Sequence, residues 1–242
     1  MNKRSYISVT YDQNDKPITE YPKVLAQYLI DRFKLKSGAK LLDTGCGRAD
    51  MLNAFSRLGL VGYGCDIEAC PGDYTACEVK EFDFSKDTFP YPDNFFNVVF
   101  SKSVLEHLYD PRNYLREIYR ILAPGGVVII FTPDWKSQYK TFYDESTHVH
   151  AYTVLSVKDC LVLNGFKYAH TELFNHHKLI WRSRLWRLVA KFLSMLYTSE
   201  TARKLEKITK IKYLRWAAEL NVLGYGFKHD ENKAAASHQG GV

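Results

Sequence analysis

No cysteine pair in this chain has the CxxC spacing, and none of the five (Cys46, Cys65, Cys70, Cys77, Cys160) falls into a zinc-type pattern. A disulfide framework and a structural zinc ribbon are therefore excluded, and reduced thiols in a cytoplasmic protein are expected. No run of about 18 apolar residues occurs that would cross a bilayer. The opening MNKRSYISVTYDQNDK lacks the apolar stretch of a secretory signal. There is no internal repeat and no recognised RNA- or DNA-binding module, so no specific nucleic acid partner is expected.

What is present suits one α/β domain with an embellishment. The chain has 242 residues, of which 46% are hydrophobic and 25% charged, enough to bury a sizeable core. The net charge of +6 is unevenly placed. Between Lys178 and Lys228 stand 12 Lys/Arg and 3 Asp/Glu, whereas residues 1–177 hold 20 basic and 22 acidic side chains. The positive field thus belongs to the C-terminal part, which suits an anionic surface or a solvated helical face.

The chain is organised around Ala39 to Asp50, AKLLDTGCGRAD. Apolar Leu41 and Leu42 suit a buried strand that ends on Asp43. Gly45 and Gly47 then allow a sharp turn and the close approach of a flat ligand, and a helical pattern begins at Asp50. A dinucleotide fingerprint wants a third Gly or Ala where Asp50 stands. The carboxylate beside the turn repels a pyrophosphate and suits an ammonium or sulfonium group. A second strand, 61–65, ends on Asp66, about 20 positions after the glycines, where two carboxylate oxygens can accept both hydroxyls of a ribose. A third, 77–82, ends at Asp83-Phe84, a carboxylate for an exocyclic amine and a ring to pack on a base.

These residues resemble the motifs of the class I S-adenosylmethionine (SAM)-dependent methyltransferases. The turn-rich passage FPYPDNFFN (89–97) and the run VLEHLYDP (104–111) are similar to those of the methyltransferase-11 type, with Asn97 where that family usually has Asp. The resemblance implies an α/β fold, a Rossmann-like seven-stranded, mostly parallel sheet with helices on both faces. It implies SAM as cofactor, with Asp43, Gly45, Gly47, Asp66, Asp83 and Phe84 around it and the backbone near Ser101 closing over it. His107 would then lie near the methyl group, as a base or as a structural hydrogen-bonding group. A nicotinamide dehydrogenase is disfavoured by the missing third glycine and by the VLEHL run.

Two stretches carry the rest. DESTHVHAY (144–152) gathers two carboxylates with His148 and His150, which share a face if the segment is extended. One of them, His148 first, can serve as base, oriented by Asp144 or Glu145. No metal is expected, although a His-x-His pair with nearby carboxylates is an acceptable first shell. After a sixth strand, 166–174, the sequence turns helical instead of supplying the last strand. Residues 178–197 place Ser183, Arg187, Lys191 and Ser194 on one stripe and a wide apolar face elsewhere. A second helix, 200–220, follows.

The expected organisation is an N-terminal arm or lid (1–22), a SAM-binding core (23–177), a basic amphipathic helical insertion that caps the acceptor pocket (178–220), the delayed last strand (221–228) and a disordered tail (229–242). The expected activity is methyl transfer from SAM to a small-molecule or glycan-precursor acceptor, at a hydroxyl oxygen. The runners-up are a lipid- or quinone-like acceptor met at the inner face of a membrane through 178–197, and a noncatalytic methyltransferase-like binding subunit.

Overall fold

The computed structural model describes residues 17–68, 74–84 and 88–230. Most of the expected arm and nearly all of the expected tail lie outside them, as does Cys70.

Helix α1 (Tyr21–Phe33) has Pro22 in its first turn and stops at Lys34, in the left-handed region. The glycine turn joins β1 (Lys40–Thr44) to α2 (Asp50–Arg57), and β2 (Val61–Asp66) and β3 (Glu78–Glu81) follow. Next come β4 (Phe96–Lys102), a single 3-10 turn (Leu105–His107), α3 (Pro111–Ile121) and β5 (Leu122–Pro133). Short α4 (Trp135–Gln138) and a 3-10 turn (Phe142–Asp144) lead to α5 (Val154–Leu163) and β6 (Lys167–Asn175). Four helices, α6 (Lys178–Arg182), α7 (Arg184–Leu196), α8 (Ser199–Thr209) and α9 (Lys212–Ala218), precede β7 (Leu220–Phe227).

The seven strands form one sheet in the order β3-β2-β1-β4-β5-β7-β6. Strand β7 runs antiparallel to both neighbours and the remaining pairs are parallel. Strand order reverses between β1 and β4, so the carboxyl ends of these two strands flank the crevice where open α/β sheets hold ligands. The expected fold is therefore the observed one.

Both faces of the sheet are buried, which is why its central strands read as near-continuous apolar runs. Leu41, Val98, Phe100, Ile129 and Phe131 pack under α1 and α2. The alternate positions Leu42, Val99, Val128 and Ile130 pack under α3 and α5, where Tyr114, Ile118 and Leu161 are buried. The passage 89–97 is held by α3: Arg120 donates to the carbonyls of Phe89 and Tyr91 and to Asp93, while Glu117 accepts from the Phe89 amide at 3.0 Å. Asn97 accepts from the Lys40 amide at 2.9 Å, a task a neutral oxygen performs as well as the family's carboxylate.

The insertion differs from expectation in its breaks. The helix read over 178–197 is interrupted at Ser183, whose extended backbone lets its hydroxyl cap α7. The helix read over 200–220 is interrupted at Lys210, which is left-handed. The apolar face of α7 is also divided. Ala190, Val189 and Leu193 turn inward to Ile180, Tyr213 and Ala217, whereas Leu185, Leu188, Phe192, Met195 and Leu196 stay exposed.

The central strands are further clasped by hydroxyls. Tyr114 on α3 meets the Thr44 hydroxyl at 2.6 Å and donates to Ser101 at 2.7 Å, all three side chains being fully buried. Tyr114→Phe leaves two buried hydroxyls short of a partner and is expected to destabilise the fold by about 1–3 kcal/mol. The measurement is the chemical-denaturation midpoint, and an unmoved midpoint would remove the clasp from the stability account.

Candidate active site

The turn after β1 is shaped by the end of β2. The amides of Gly45 and Cys46 both donate to the Cys65 carbonyl, at 2.7 and 3.2 Å. Gly45, Gly47 and Ala49 all have positive φ (68°, 51° and 62°). A Cβ on Gly45 would stand 2.3 Å from a methyl of Val104, so the close approach demanded at this position is by the protein itself. The Gly47 amide donates to Asp66 at 2.8 Å, which lays the second expected cofactor carboxylate directly against the glycine loop. Asp50, where a dinucleotide fingerprint needs a small residue, pairs with buried Arg48 at 2.7 Å.

Asp43 is buried at the end of β1, and burial, with the charge of Asp66 added, pushes its carboxyl up to about 8. Lys102, at the end of β4, opposes that shift. Burial also raises the Asp66 carboxyl, against the pull of the Gly47 amide. Asp83 is half-buried just past β3. The Phe84 ring is enclosed by Phe82, Phe89 and Tyr114, which leaves little of it for a base to cover. The Ser101 side chain accepts from Tyr114, so what it can offer a ligand is backbone.

A second group lies past the ends of β4 and β5. Glu106 is fully buried; one carboxylate oxygen accepts from Thr132 at 3.0 Å and the other, Oε1, has no partner among the described residues. Burial pushes this carboxyl up to about 7. The Glu106 carbonyl accepts from the amides of Val149 and His150, which draws the 144–152 loop over the strand ends. His107 Nδ1 lies 3.1 Å from the Thr147 carbonyl, and His148 Nδ1 lies 2.7 Å from that of Phe142. A carbonyl only accepts, so both neutral rings carry their proton on Nδ1 and present a bare Nε2. The two rings are 4.9 Å apart, and burial lowers the His107 pKa.

His148 and His150 do not share a task, contrary to the extended reading. His150 stacks on Tyr152 (4.6 Å, 14°), and His148 turns toward His107. The two acidic residues also divide. Glu145 lies 3.5 Å from His148 Nε2, whereas Asp144 pairs with Arg203 of α8 at 3.2 Å. A cavity of about 340 Å³ opens here, lined by Gln138, Phe142, Glu145, His148 and Arg203 among others.

Two further residues at this sheet edge escaped the sequence reading. His176, just past β6, is buried and bonds through Nδ1 to the Tyr21 hydroxyl, while its Nε2 has no partner among the described residues. Burial holds its pKa well down, and the Lys102 charge adds to that. A lone His-His pair after a strand carries no motif, so only the topology brings His176 against Tyr21 and Phe131. Glu106 was in plain view inside the VLEHL run, but nothing in the run marks a buried carboxylate.

The family model described as "Methyltransferase domain" matches residues 18–171, well over half of the chain. The chain is a class I SAM-dependent methyltransferase by family. Among relatives, a ubiquinone biosynthesis O-methyltransferase of Histophilus somni is 28% identical over 131 residues, covering 48% of this chain and 54% of that protein. A SAM-dependent methyltransferase of Archaeoglobus fulgidus has the same fold (TM-score 0.61, 21% identity, 93% of this chain and 100% of that one). So does Haemonchus contortus phosphoethanolamine N-methyltransferase 2, crystallised with phosphomonomethylethanolamine and S-adenosylhomocysteine (TM-score 0.61, 17% identity, 94% and 60%). The chain spans about half, or less, of the length of the curated relatives it matches.

The residues of this methyltransferase fold fit the family's cofactor. Two buried carboxylates, Asp43 and Asp66, border the glycine loop and suit a ligand that carries both a cationic centre and a ribose. When bound, SAM supplies an electrophilic methyl on sulfur. If Asp43 must be ionised to accept that cation, SAM affinity rises with pH up to about 8, by at most tenfold per unit, and then levels off. Calorimetry between pH 6 and 8.5 on the wild type and on Asp43→Asn checks this. Affinity independent of pH in the wild type would take Asp43 out of contact with the cation.

Proposed function

We propose that the chain transfers the SAM methyl group to a hydroxyl oxygen of a small-molecule or glycan-precursor acceptor. The observation that carries this reading is the convergence of Glu106, His107 and His148 beyond the strand ends, with two bare Nε2 atoms and one unpaired carboxylate oxygen. Methyl transfer is an in-line displacement, and holding donor and acceptor in line supplies most of the acceleration. An amine acceptor need only arrive neutral. A hydroxyl must also lose its proton, and a neutral imidazole with a bare ring nitrogen can take it. His148, beside the cavity, is the base in this reading, its ring oriented by the Phe142 carbonyl on Nδ1, with Glu145 and His107 beside it. Asp43, Gly45, Gly47 and Asp66 hold the cofactor, with Asp83, Phe84 and the Ser101 backbone bordering it. The Histophilus somni relative is an O-methyltransferase by name, which agrees with an oxygen acceptor.

A second reading, an acceptor met at a membrane surface, is favoured by α7. Leu185, Leu188, Phe192, Met195 and Leu196 form an exposed apolar face beside Arg184, Arg187 and Lys191, and no acidic residue occurs between Lys178 and Ser199. Such a helix lies in the lipid interface with its basic flank on anionic headgroups. No helix among the described residues is long and apolar enough to cross a bilayer.

Labelled SAM, screened against sugar nucleotides, lipids and small metabolites, is expected to give a product that carries the label as a methyl ether. With that acceptor, His148→Ala should lower kcat by about 10²- to 10⁴-fold while SAM affinity stays unchanged. Full activity in that variant acquits His148, and SAM binding without any methylated product across the screen favours a binding subunit. The membrane reading is read separately by flotation. Vesicles containing phosphatidylglycerol should carry the protein, pure phosphatidylcholine vesicles should not, and Phe192→Glu should release it.

A further inference from the structure

We infer that Glu106, His107 and His148 form a binding site for a divalent transition-metal ion. The His148-x-His150 pair does not make such a shell, since His150 is taken up by Tyr152. A different trio assembles from two segments, the turn after β4 and the loop after β5. One ligand atom from each of the three lies within 4.8 Å of the other two.

Three observations point to a cation rather than to a polar cluster satisfied by itself. Both imidazoles are oriented by an Nδ1–H donated to a main-chain carbonyl, Thr147 for His107 and Phe142 for His148. That outer contact fixes the tautomer and presents Nε2, the arrangement found around metal-ligating histidines. The carboxylate completing the trio is fully buried and has an unpaired oxygen, a costly state in a protein interior unless a charge or a donor meets it. Neither neighbouring imidazole can donate to it through Nε2 in its neutral form. Glu145, 3.5 Å from His148 Nε2, supplies a second carboxylate at the rim.

Two imidazoles and a carboxylate suit zinc, manganese or iron, whereas magnesium prefers an all-oxygen shell. Metal–nitrogen distances of about 2.0–2.1 Å require the three side chains to close inward by roughly 1 Å. Of the three, His148 lines the 340 Å³ cavity, which is the side from which an acceptor oxygen would approach a bound ion. The site is the one assigned to the acceptor above and so rests on that reading for its purpose, but not for its existence. An ion there would draw off the charge of a hydroxyl as its proton leaves. With the ion bound, the His107 and His148 Nε2 lone pairs would be taken up as ligands, and Glu145, 3.5 Å from His148, would replace His148 as the proton acceptor.

The test uses the full chain, free of any affinity tag and stripped with a chelator. Calorimetric titration with Zn²⁺ or Mn²⁺ should show one saturable site, and Mg²⁺ should bind far more weakly. Cobalt(II) should give visible d–d bands of a site with nitrogen ligands. Glu106→Gln and His148→Ala should each weaken binding by at least about tenfold, while His150→Ala should leave it unchanged. Absence of saturable binding and of cobalt bands in the wild type overturns the inference, a result that needs no variant to fold. Binding that survives in folded Glu106→Gln and His148→Ala overturns it equally. Methyl transfer to a hydroxyl by metal-free protein would remove the ion and keep the proposed function. A metal-binding protein that methylates only amines would keep the site and remove the oxygen acceptor.

Discussion

The contact between Gly45 and Val104 joins everything of chemical interest in this molecule. Because residue 45 has no side chain, a Val104 methyl can sit where a Cβ would be, and the turn after β4 docks against the turn after β1. That docked turn carries Glu106 and His107. The Glu106 carbonyl in turn holds the amides of Val149 and His150, and so positions His148. The glycine loop and the cluster of Glu106, His107 and His148 are thus two ends of one packed sequence of contacts. A side chain at residue 45 would disturb both, even though it lies far from His148 in the chain.

Buried carboxyl groups concentrate along the same sheet edge. Asp43, Asp66 and Glu106 are all hidden from water, and burial raises the pKa of each. Proteins keep such groups inside only where hydrogen bonds or opposite charges offset the loss of hydration. Asp66 finds the Gly47 amide, Glu106 finds the Thr132 hydroxyl and its own amide, and the charge of Lys102 favours the ionised forms of both Asp43 and Glu106. The edge is therefore held partly short of its full complement of partners, a state suited to cationic and hydrogen-bonding ligands.

Much of this was legible in the sequence, for reasons that are local. The first strand, its glycine turn and the following helix announce themselves through apolar residues ending on Asp43, a GxG, and amphipathic spacing from Asp50. Pro111 behind Asp110 marks a helix start, and Asp110 does accept from the Arg112 amide. The delayed last strand was visible because basic helical spacing displaced it. What stayed hidden depends on distant partners. The breaks at Ser183 and Lys210 answer to packing against Tyr213 and Ala217, which spacing alone does not encode. His150 stacks on Tyr152 rather than facing the same way as His148 because Glu106, over 40 positions earlier, grips the loop between them. His176 meets Tyr21 and Phe131, at the end of β5, only because β6 runs parallel in direction to β5.

The place of β7 has a consequence for how the chain assembles. It is the last strand in sequence, yet it lies between β5 and β6, and its register is set with both. Until it arrives, β6 has no hydrogen-bonding neighbour and β5 exposes an open edge, so the sheet is a five-stranded body with a detached strand. The helices between β6 and β7 must be traversed first, which makes this closure a contact of long sequence separation and hence a slow one. During that interval the apolar edge of β5 is open to strangers. The positively charged helices that delay closure also keep such half-built chains apart by mutual repulsion.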